Sequence, residues 1–494
     1  GLTMTLSYIP SDTNDEGIFK ANASGSLPNG KPVVVNADGT VSVVAETSRS
    51  QALGSEAVFE SASTYYTSST FDSNSNRVVI LYSDFGNSRY PTCVVGTVSG
   101  TSISLGTPVV VSSAKATELS IVFDSNANKV VASYRNYGNS SVGASIVGTV
   151  DPSDNSISFG TAANFSPAIA ANVRSTFDSN ANKVVITFGN QSNSYHGTGV
   201  VGTISGTDIS FGDLAVYLAS GNAQNPTMTF DSNSNKVIVS YTDAGSSSGV
   251  RSLVGTVSGT NISFASPTTI TTQLSSSLAS TFDSVNNKVL LIYRDDLNDA
   301  YQGYARVGTV SGTSISFGDP TALYSGKITS NYSPVFDAGI ERIVVAYNNN
   351  TDTSGEVVSA SISGSTISFD TALVFSTDSS EQTSAVFDTV ANNVAIAFND
   401  AGNSEYGTSV VFQPAYTSTN LTAENYIGIS TGGTYASGSN ATVKIIGNTS
   451  NEQSSLTAGQ SYFVQTDGTL GTTAADPSVF AGTAVSATKL LVKT

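Results

Sequence analysis

The sequence lacks tryptophan and has one cysteine and one histidine among 494 residues. A single cysteine, Cys93, excludes an intramolecular disulfide and a zinc cage built from cysteines. The single histidine, His196, cannot form a zinc site with so few other ligands, and no serine stands out as the nucleophile of a catalytic triad. We therefore interpret Cys93 as a small buried apolar residue and His196 as an exposed loop residue.

Charged residues are also scarce, at 12% of the chain, and 20 Lys and Arg against 37 Asp and Glu give a formal charge of −17. No cluster of basic residues is present to neutralise phosphates, which argues against binding to nucleic acid or to an anionic membrane. No apolar run approaches the roughly 20 residues of a membrane helix, so we expect no membrane insertion. The beginning, GLTMTLSYIPSDTNDE, shows neither the basic start nor the apolar run of a signal peptide.

What the sequence does contain is a repeat. A Phe-Asp pair recurs with separations of 52, 54, 53, 52, 54 and 51 residues, at Phe71, Phe123, Phe177, Phe230, Phe282, Phe336 and Phe387. Within each repeat the apolar pattern has period two, and turn residues divide it into four short strands, which we name a, b, c and d. In the second repeat these strands read ELSIVF, KVVASY, ASIVGTV and SISFG.

Four antiparallel strands that recur about every 50 residues are typical of a β-propeller, and a solenoid is the competing fold. Closure into a ring protects the end repeats, so we predict an all-β fold, a seven-bladed β-propeller of four-stranded blades with a small C-terminal β domain. Without tryptophan the repeat matches neither WD40 nor kelch. The predicted blade anchors are the aromatic residues at the end of strand b, Tyr82, Tyr134, Phe188, Tyr241, Tyr293, Tyr347 and Phe398.

The two ends of the chain complete the predicted organisation. The last repeat has no strand d, and residues 41–54 align loosely with 93–106, so we predict that they supply this outer strand and close the ring. Residues 26–41 and 455–470 share another pattern, a strand followed by an Asp-Gly turn. The predicted domains are an amino-terminal arm at 1–40, the propeller at 41–416, and a small β domain for attachment or oligomerisation at 417–494.

Candidate ligand contacts lie on the rim that carries the b–c loops, because these loops vary in composition within the repeat. The candidates are the loop residues Asp84, Tyr90, Tyr195, His196, Asp243, Asp295, Tyr301, Asp400 and Tyr406. Carboxylates of this kind bind Ca²⁺, so calcium stays open as a cofactor, although capping of the loops explains the same residues. The tyrosine rings suit stacking on sugars or packing over the blade tops. The aspartate after each repeated phenylalanine is predicted to cap a turn.

The repeated phrases FDSNxNKVVxxY and VVGTVSGTSISFG, followed by AENYIGISTGG and GQSYFVQTDGTLGTTAADPSVFAGTAVSATKLLVK, resemble proteins of marine, cyanophage-like bacteriophages. Those proteins are identified as tail fibres or virion structural proteins, and the resemblance covers nearly the whole chain from about Gly30. It implies a component of the virion surface that is made in the host cytoplasm. Its implied partners are other virion proteins and a host surface glycan or receptor, and a homo-oligomer is expected. It implies no catalytic residues.

Two functions follow as hypotheses. Acidic residues recur with the repeat, and no cluster of carboxylates and arginine breaks it, so we expect that the chain is not an enzyme and needs no cofactor. The leading hypothesis is a noncatalytic virion structural protein, a tail fibre or a decoration of capsid or tail, that presents a propeller face to a host receptor or to a neighbour. The alternative is a carbohydrate-binding or carbohydrate-cleaving propeller, phage-borne or secreted.

Overall fold

The computed structural model describes residues 17–297 and 301–493. The predicted all-β fold is confirmed, since the regular structure consists of antiparallel strands and four single-turn 3₁₀ helices. No helix in the described part of the chain is long and apolar enough to cross a membrane. The chain divides into two compact parts, a repeat domain at Ser50–Ala415 and a terminal domain built from the residues before and after it.

In the repeat domain each repeat folds as an antiparallel sheet in the order a, b, c, d. Strand a covers Ala57–Asp72, Ala116–Asp124, Ala163–Asp178, Ala215–Asp231, Ser275–Asp283, Thr329–Asp337 and Ser380–Asp388. Strand b covers Arg77–Asp84, Lys129–Asn136, Lys183–Asn190, Lys236–Asp243, Lys288–Asp295, Arg342–Asn349 and Asn393–Asp400. Strand c covers Tyr90–Ser99, Val142–Asp151, His196–Ser205, Gly249–Ser258, Gln302–Ser311, Ser354–Ser363 and Tyr406–Gln413. Strand d covers Ser102–Leu105, Ser156–Phe159, Asp208–Phe211, Asn261–Phe264, Ser314–Phe317 and Thr366–Phe369.

Short elements connect these strands. After strand d the chain pairs once more with strand c, in four repeats through the separate strands Val109–Val110, Thr268–Thr269, Thr321–Ala322 and Leu373–Ser376. The b–c loops contain the 3₁₀ helices Phe85–Asn87, Tyr137–Asn139, Gln191–Asn193 and Ala401–Asn403. Strand a of each repeat contacts strand a of the next, and strand a of the seventh repeat contacts that of the first.

The outermost strand of the seventh repeat is Ala52–Leu53, in which Leu53 pairs with Phe412 of strand c. The predicted boundary at residue 41 is corrected to Ser50. Residues before Ser50 belong to the terminal domain, because Val41–Val43 pairs with Pro32–Val35 and Glu46–Arg49 pairs with Tyr416–Thr419. The described residues of the predicted arm therefore belong to a sheet of the terminal domain. Of the predicted closing segment 41–54, only the end joins the seventh repeat.

The aspartate after each repeated phenylalanine caps the a–b turn, as predicted. In the second repeat Asp124 accepts hydrogen bonds from the backbone N–H groups of Asn126 and Ala127, at 2.9 and 2.8 Å. The same side-chain oxygen accepts from the turn backbone in the other six repeats. These carboxylates are buried and each is bonded to its own turn through Oδ1, so they form structural turns and no open ring of acids, although Oδ2 of Asp337 has no partner among the described residues.

The predicted aromatic anchors at the end of strand b are all buried, with at most 3% of the surface of any of them exposed. In four repeats an aromatic residue that lies at the start of strand a or just before it packs against the anchor. The ring centroids lie 5.0–5.3 Å apart in the pairs Phe59–Tyr82, Phe165–Phe188, Tyr217–Tyr241 and Phe375–Phe398. Contacts of this kind bury apolar surface between neighbouring repeats, which a single four-stranded sheet cannot do alone.

The terminal domain contains two five-stranded sheets and a two-stranded ribbon. The first sheet comprises Ile18–Asn22, Asn440–Lys444, Tyr426–Thr431, Pro32–Val35 and Val41–Val43. The second comprises Thr449–Ser450, Lys489–Val492, Phe480–Ser486, Ser461–Val464 and Leu470–Gly471, and the ribbon Glu46–Arg49 and Tyr416–Thr419. The two predicted Asp-Gly turns are confirmed. Asp38 and Asp467 accept from the backbone of Thr40 and Thr469, and Gly39 and Gly468 both have φ of 83°.

The tyrosine anchors allow a paired test of hydrogen bonding in the core. The Tyr347 hydroxyl donates to buried Glu356 at 2.6 Å, whereas the buried Tyr241 hydroxyl has no partner among the described residues. We expect Tyr347→Phe to lower the free energy of unfolding by about 1.5–3 kcal/mol, because a hydrogen bond to a charged group is lost. Tyr241→Phe should leave the free energy of unfolding unchanged or raise it, since the third and seventh repeats carry phenylalanine at the anchor position. Urea unfolding of both variants checks this, and equal losses would contradict it.

Candidate functional site

The seven a strands share a bulge at one position, five residues before the repeated phenylalanine. At each bulge the pairing with strand b shifts, so two residues of strand a oppose no regular partner. The first bulge residue has a positive φ of 47–56° in every repeat. These residues are Tyr66, Glu118, Asn172, Asn225, Ser277, Asn331 and Gln382.

A left-handed backbone is tolerated by asparagine but costs of order 1–3 kcal/mol for other residues with a side chain. Tyr66, Glu118, Ser277 and Gln382 adopt it nonetheless. Two of the bulges are held by contacts to the next repeat. The backbone N–H of Tyr66 donates to Gln382 Oε1 at 2.8 Å, and that of Val173 donates to Glu118 Oε2 at 3.1 Å. Strained backbone that is held in this way occurs preferentially at functional sites.

The bulges surround a cavity of about 390 Å³ whose wall receives residues from all seven a strands. Most of the lining side chains are hydroxyls and amides, among them Ser68, Ser120, Thr227, Asn225, Asn331 and Gln382. Hydroxyls at the wall also join neighbouring strands, since Ser120 Oγ accepts from the Ser175 backbone at 3.0 Å and Thr227 Oγ1 lies 2.8 Å from Ser280 Oγ. The volume lies within the range of about 300–1,000 Å³ that is usual for small-ligand sites.

Arg174 is the only charged side chain among the described residues that line this central cavity. Its guanidinium donates to the carbonyl oxygen of Val173 at 2.7 Å, and protein atoms surround it while it stays exposed to the cavity. Burial lowers the pKa of Arg174, and the nearby Glu118 carboxylate opposes this shift. The other repeats carry Ser68, Ser120, Thr227, Ala279, Ser333 and Ser384 at the equivalent position.

Glu118 and Arg135 add a second charged pair next to Arg174. The Glu118 carboxylate lies 3.9 Å from Arg135 Nη1, and about a fifth of each side chain is exposed. The Arg135 Nε–H group is buried and has no partner among the described residues. Glu118 and Arg135 also influence the Tyr66 phenol, whose ring is 38% exposed. An unpaired buried donor beside an exposed ring is what a polar ligand with an aromatic-stacking face would use.

Burial is the largest influence on the pKa of Glu118. It raises the pKa of this carboxyl above its ordinary value, against the opposing effects of the Val173 N–H group and of Arg174 and Arg135. Burial also raises the pKa of the Tyr66 hydroxyl. A carboxyl group with a raised pKa beside guanidinium groups is a candidate for proton transfer to or from a ligand whose acidic group the arginines hold.

The carboxylates predicted as ligand contacts cap the b–c loops instead. Asp84, Asp243 and Asp400 are at most 8% exposed, and each accepts from the N–H group two residues further on, at 2.8–3.0 Å. Asp295 does the same with Leu297. Asp243 also pairs with Arg251 at 2.8 Å. Each of these residues belongs to a different repeat. No group of three or more His, Cys, Asp or Glu side chains within 17–297 and 301–493 is placed to hold a metal ion.

The predicted aromatic contacts lie at or next to the start of strand c. Tyr90, Tyr406 and His196 are half-buried first residues of this strand, where their backbones pair with the end of strand b. Tyr195 and Tyr301 have positive φ of 60° and 67°. The Tyr301 ring is 46% exposed and lies 5.3 Å from the Arg294 guanidinium carbon. None of the nine predicted residues lines the central cavity.

Sequence reasoning missed Tyr66, Glu118, Arg135 and Arg174. The sequence held only a weak signal, because the position five residues before the repeated phenylalanine is asparagine in three repeats and differs in the other four, while its neighbours vary as well. Arg174 likewise stands where four repeats have serine. These departures carry meaning only once the a strands are known to surround one cavity. Variation within the b–c loops was the more visible feature and drew the prediction to that rim.

No protein-family model matches the chain, and no curated protein matches it. Similar solved structures include a protein of unknown function from Dyadobacter fermentans, with 13% identity and a TM-score of 0.44 over 74% of this chain and 99% of that one. A periplasmic gluconolactonase of Pseudomonas aeruginosa has 10% identity and a TM-score of 0.45, covering 73% and 97%. An ulvan lyase bound to GlcA(1-4)Rha3S has 10% identity and a TM-score of 0.43, covering 74% and 97%. None of the three is described as a phage protein, so the predicted virion location, partners and homo-oligomer stay predictions.

The prediction that the chain is not an enzyme is wrong in its premise. It rested on the lack of a carboxylate and arginine cluster that breaks the repeat, and Glu118, Arg135 and Arg174 form one. Two of the three similar structures are described as enzymes, the lyase and the gluconolactonase. At identities near 10% and TM-scores below 0.5 they transfer no activity to this chain.

The raised pKa of Glu118 makes a pH-dependent prediction. The folded state holds the proton of the Glu118 carboxyl group more tightly than the unfolded chain does. The contribution of Glu118 to folding stability is therefore most favourable below its ordinary pKa of 4.5 and is lost as the pH rises through its pKa in the folded state. Glu118→Gln copies the residue of the seventh repeat, Gln382. We expect this variant to gain stability over the parent between about pH 4 and about pH 8.

Urea unfolding at the two pH values measures this gain, and carboxyl NMR titration measures the Glu118 pKa directly. Arg174→Ser should raise that pKa further, because a favourable charge is removed. The control, Arg342→Asn, removes a positive charge that pairs with Asp370 and copies Asn393 of the seventh repeat. A Glu118 pKa that responds equally to both arginine variants would contradict the assigned electrostatics.

Proposed function

We propose that the repeat domain is a seven-bladed β-propeller that binds carbohydrate at its central cavity and carries a proton-transferring group there. The seven blades correspond to the seven repeats, and the cyclic contacts of the a strands together with Ala52–Leu53 on the last strand c support a closed ring. The observation that carries the functional proposal is a charged group at the cavity wall, in which Tyr66 and Arg174 line the cavity and Glu118 and Arg135 lie next to them.

The chemistry of the cavity wall favours a hydroxylated ligand. Serine, threonine, asparagine and glutamine side chains offer both donors and acceptors, as the many hydroxyls of a saccharide require. The exposed Tyr66 ring provides a face for the apolar side of a sugar ring. Arg174 is suited to a carboxylate or sulfate substituent, because a guanidinium binds such groups through parallel hydrogen bonds. The proposed ligand class is therefore an acidic saccharide.

The same group defines a reaction class. Among the described residues Glu118 is the one carboxyl group assigned to the site, whereas glycoside hydrolases usually use two carboxylates on opposite sides of the scissile bond. Glu118 and Tyr66 are the groups placed to move a proton, and Arg174, which lines the cavity, is placed to stabilise negative charge on the ligand. Cleavage by acid–base catalysis with charge stabilisation by arginine fits this arrangement.

A panel of neutral and acidic polysaccharides tests both parts of the proposal. Arg174→Ser copies four other repeats and should therefore fold, and we expect it to weaken binding of an acidic polysaccharide at least tenfold, since a charged hydrogen bond is worth about 1.5–3 kcal/mol. Glu118→Gln should retain binding and lose cleavage by a factor of about 10²–10⁴. Calorimetry measures binding, and the release of new chain ends measures cleavage.

Arg342→Asn again serves as the control, since Arg342 is paired with Asp370 and does not line the cavity. If no acidic saccharide binds the parent, or if Arg174→Ser binds as well as the parent, the proposed ligand class is wrong. If binding depends on Arg174 and no substrate is cleaved, the propeller binds carbohydrate and the catalytic part of the proposal fails.

A further inference from the structure

A second cavity lies in the repeat domain between the fourth and fifth repeats. Its volume is about 460 Å³, and its wall includes Thr269, Thr271, Tyr293, Asp295, Tyr304 and Arg306. None of these residues lines the central cavity. The second cavity arises from two local departures from the repeat pattern. One is in the packing between the fourth and fifth repeats, and the other is in strand c of the fifth repeat.

The first departure concerns the residue that packs against the blade anchor. Phe165 contacts the anchor Phe188 and lies against Gly143, where a Cβ atom would approach the Phe165 ring to 2.1 Å. Three other glycines accommodate an aromatic ring in the same way, in the pairs Gly197–Tyr217, Gly355–Phe375 and Gly407–Phe59. Between the fourth and fifth repeats the corresponding pair is Val250 and Ile270. The shorter isoleucine leaves one side of the Tyr293 ring to form part of the cavity wall.

The second departure is an arginine at an otherwise apolar position. The six residues equivalent to Arg306 are buried, with at most 4% exposed, and are Val94, Ile146, Val200, Leu253, Val358 and Val410. The pairing with strand b establishes the equivalence, since Arg306 pairs with Leu291 as Val200 pairs with Ile186. A guanidinium in such a position costs solvation free energy unless a partner compensates it.

The protein satisfies this guanidinium only in part. Arg306 Nε donates to the Tyr293 hydroxyl at 3.1 Å, and Nη1 donates to the carbonyl oxygen of Gly318 at 3.3 Å. A guanidinium has five N–H donors, so three remain for other acceptors. No carboxylate of the described residues lies within 4.0 Å of Arg306. Half-buried, it faces a cavity whose remaining wall carries hydroxyl groups and tyrosine rings.

We propose that this cavity is a second ligand site, which binds a small hydroxylated oxyanion with its carboxylate or sulfate group on Arg306. The guanidinium supplies paired N–H donors for the anionic group. Thr269 and Thr271 supply hydroxyl groups, and Tyr293 and Tyr304 supply ring surface, while the Asp295 carboxylate already caps the loop through the Leu297 N–H group. The site is separate from the central cavity, so it stands or falls independently of the function proposed there.

The test uses the full chain with Arg174→Ser as the background, so that the central cavity contributes no arginine. The probes are sodium glucuronate, sodium sulfate and neutral methyl glucoside, measured by calorimetry at low ionic strength. We expect glucuronate to bind, sulfate to compete with it, and methyl glucoside to bind at least tenfold more weakly. Sulfate binding without glucuronate binding would restrict the ligand to sulfated compounds and overturn the carboxylate alternative.

Two variants assign the binding to this cavity. Arg306→Val copies the valine of four other repeats, so it should fold, and we expect it to bind glucuronate at least tenfold more weakly. The double variant Val250→Gly with Ile270→Phe installs the glycine and aromatic pair of Gly143 and Phe165 and should close the cavity with Arg306 retained. Arg342→Asn should bind as the background does. Unchanged glucuronate affinity in Arg306→Val and the double variant, or no binding at tens of millimolar probe, would overturn the proposal.

Discussion

The structure of the repeat domain depends on the burial of an aromatic ring at the end of each strand b. A four-stranded sheet of this length cannot enclose a core by itself, so its two faces must be covered by the preceding and following sheets. The buried rings of Tyr82, Tyr134 and Phe188 show how this works, since valine and isoleucine of the adjoining strands pack around them. A repeat at the end of a row would leave such a face exposed, and the cyclic contacts of the a strands remove this problem.

That constraint explains why so much of each repeat is invariant within the chain. The capped a–b turn holds strands a and b in register, and the glycine of the c–d hairpin has positive φ, for example 57° at Gly100 and 64° at Gly206. These features serve the sheet. The positions that differ between repeats do not have this structural role, so they are the ones available for binding and chemistry.

Both candidate sites arise from such differences. At the central cavity the a strands bring residues of all seven repeats around one volume, so a substitution in a single repeat introduces one charge there and not seven. Glu118 and Arg174 are two substitutions of this kind, in the second and third repeats. Between the fourth and fifth repeats the change from a glycine and aromatic pair to Val250 and Ile270 opens space, and Arg306 gives that space its charge. Repetition thus provides a rigid frame in which isolated exceptions acquire a defined environment.

The sequence by itself determined the all-β class, the four strands of each repeat, the capped turns and the buried aromatic anchors. It could do so because all of these follow from local rules, namely the period of two, the turn residues and the capping of a turn by its own aspartate. The start of the repeat domain at Ser50 and the two-ended terminal domain were decided by long-range pairing, as between Val41–Val43 and Pro32–Val35. Only the tertiary structure brought Tyr66 and Arg174 to one cavity with Glu118 beside Arg174, because residues about 50 positions apart become neighbours through the packing of the a strands.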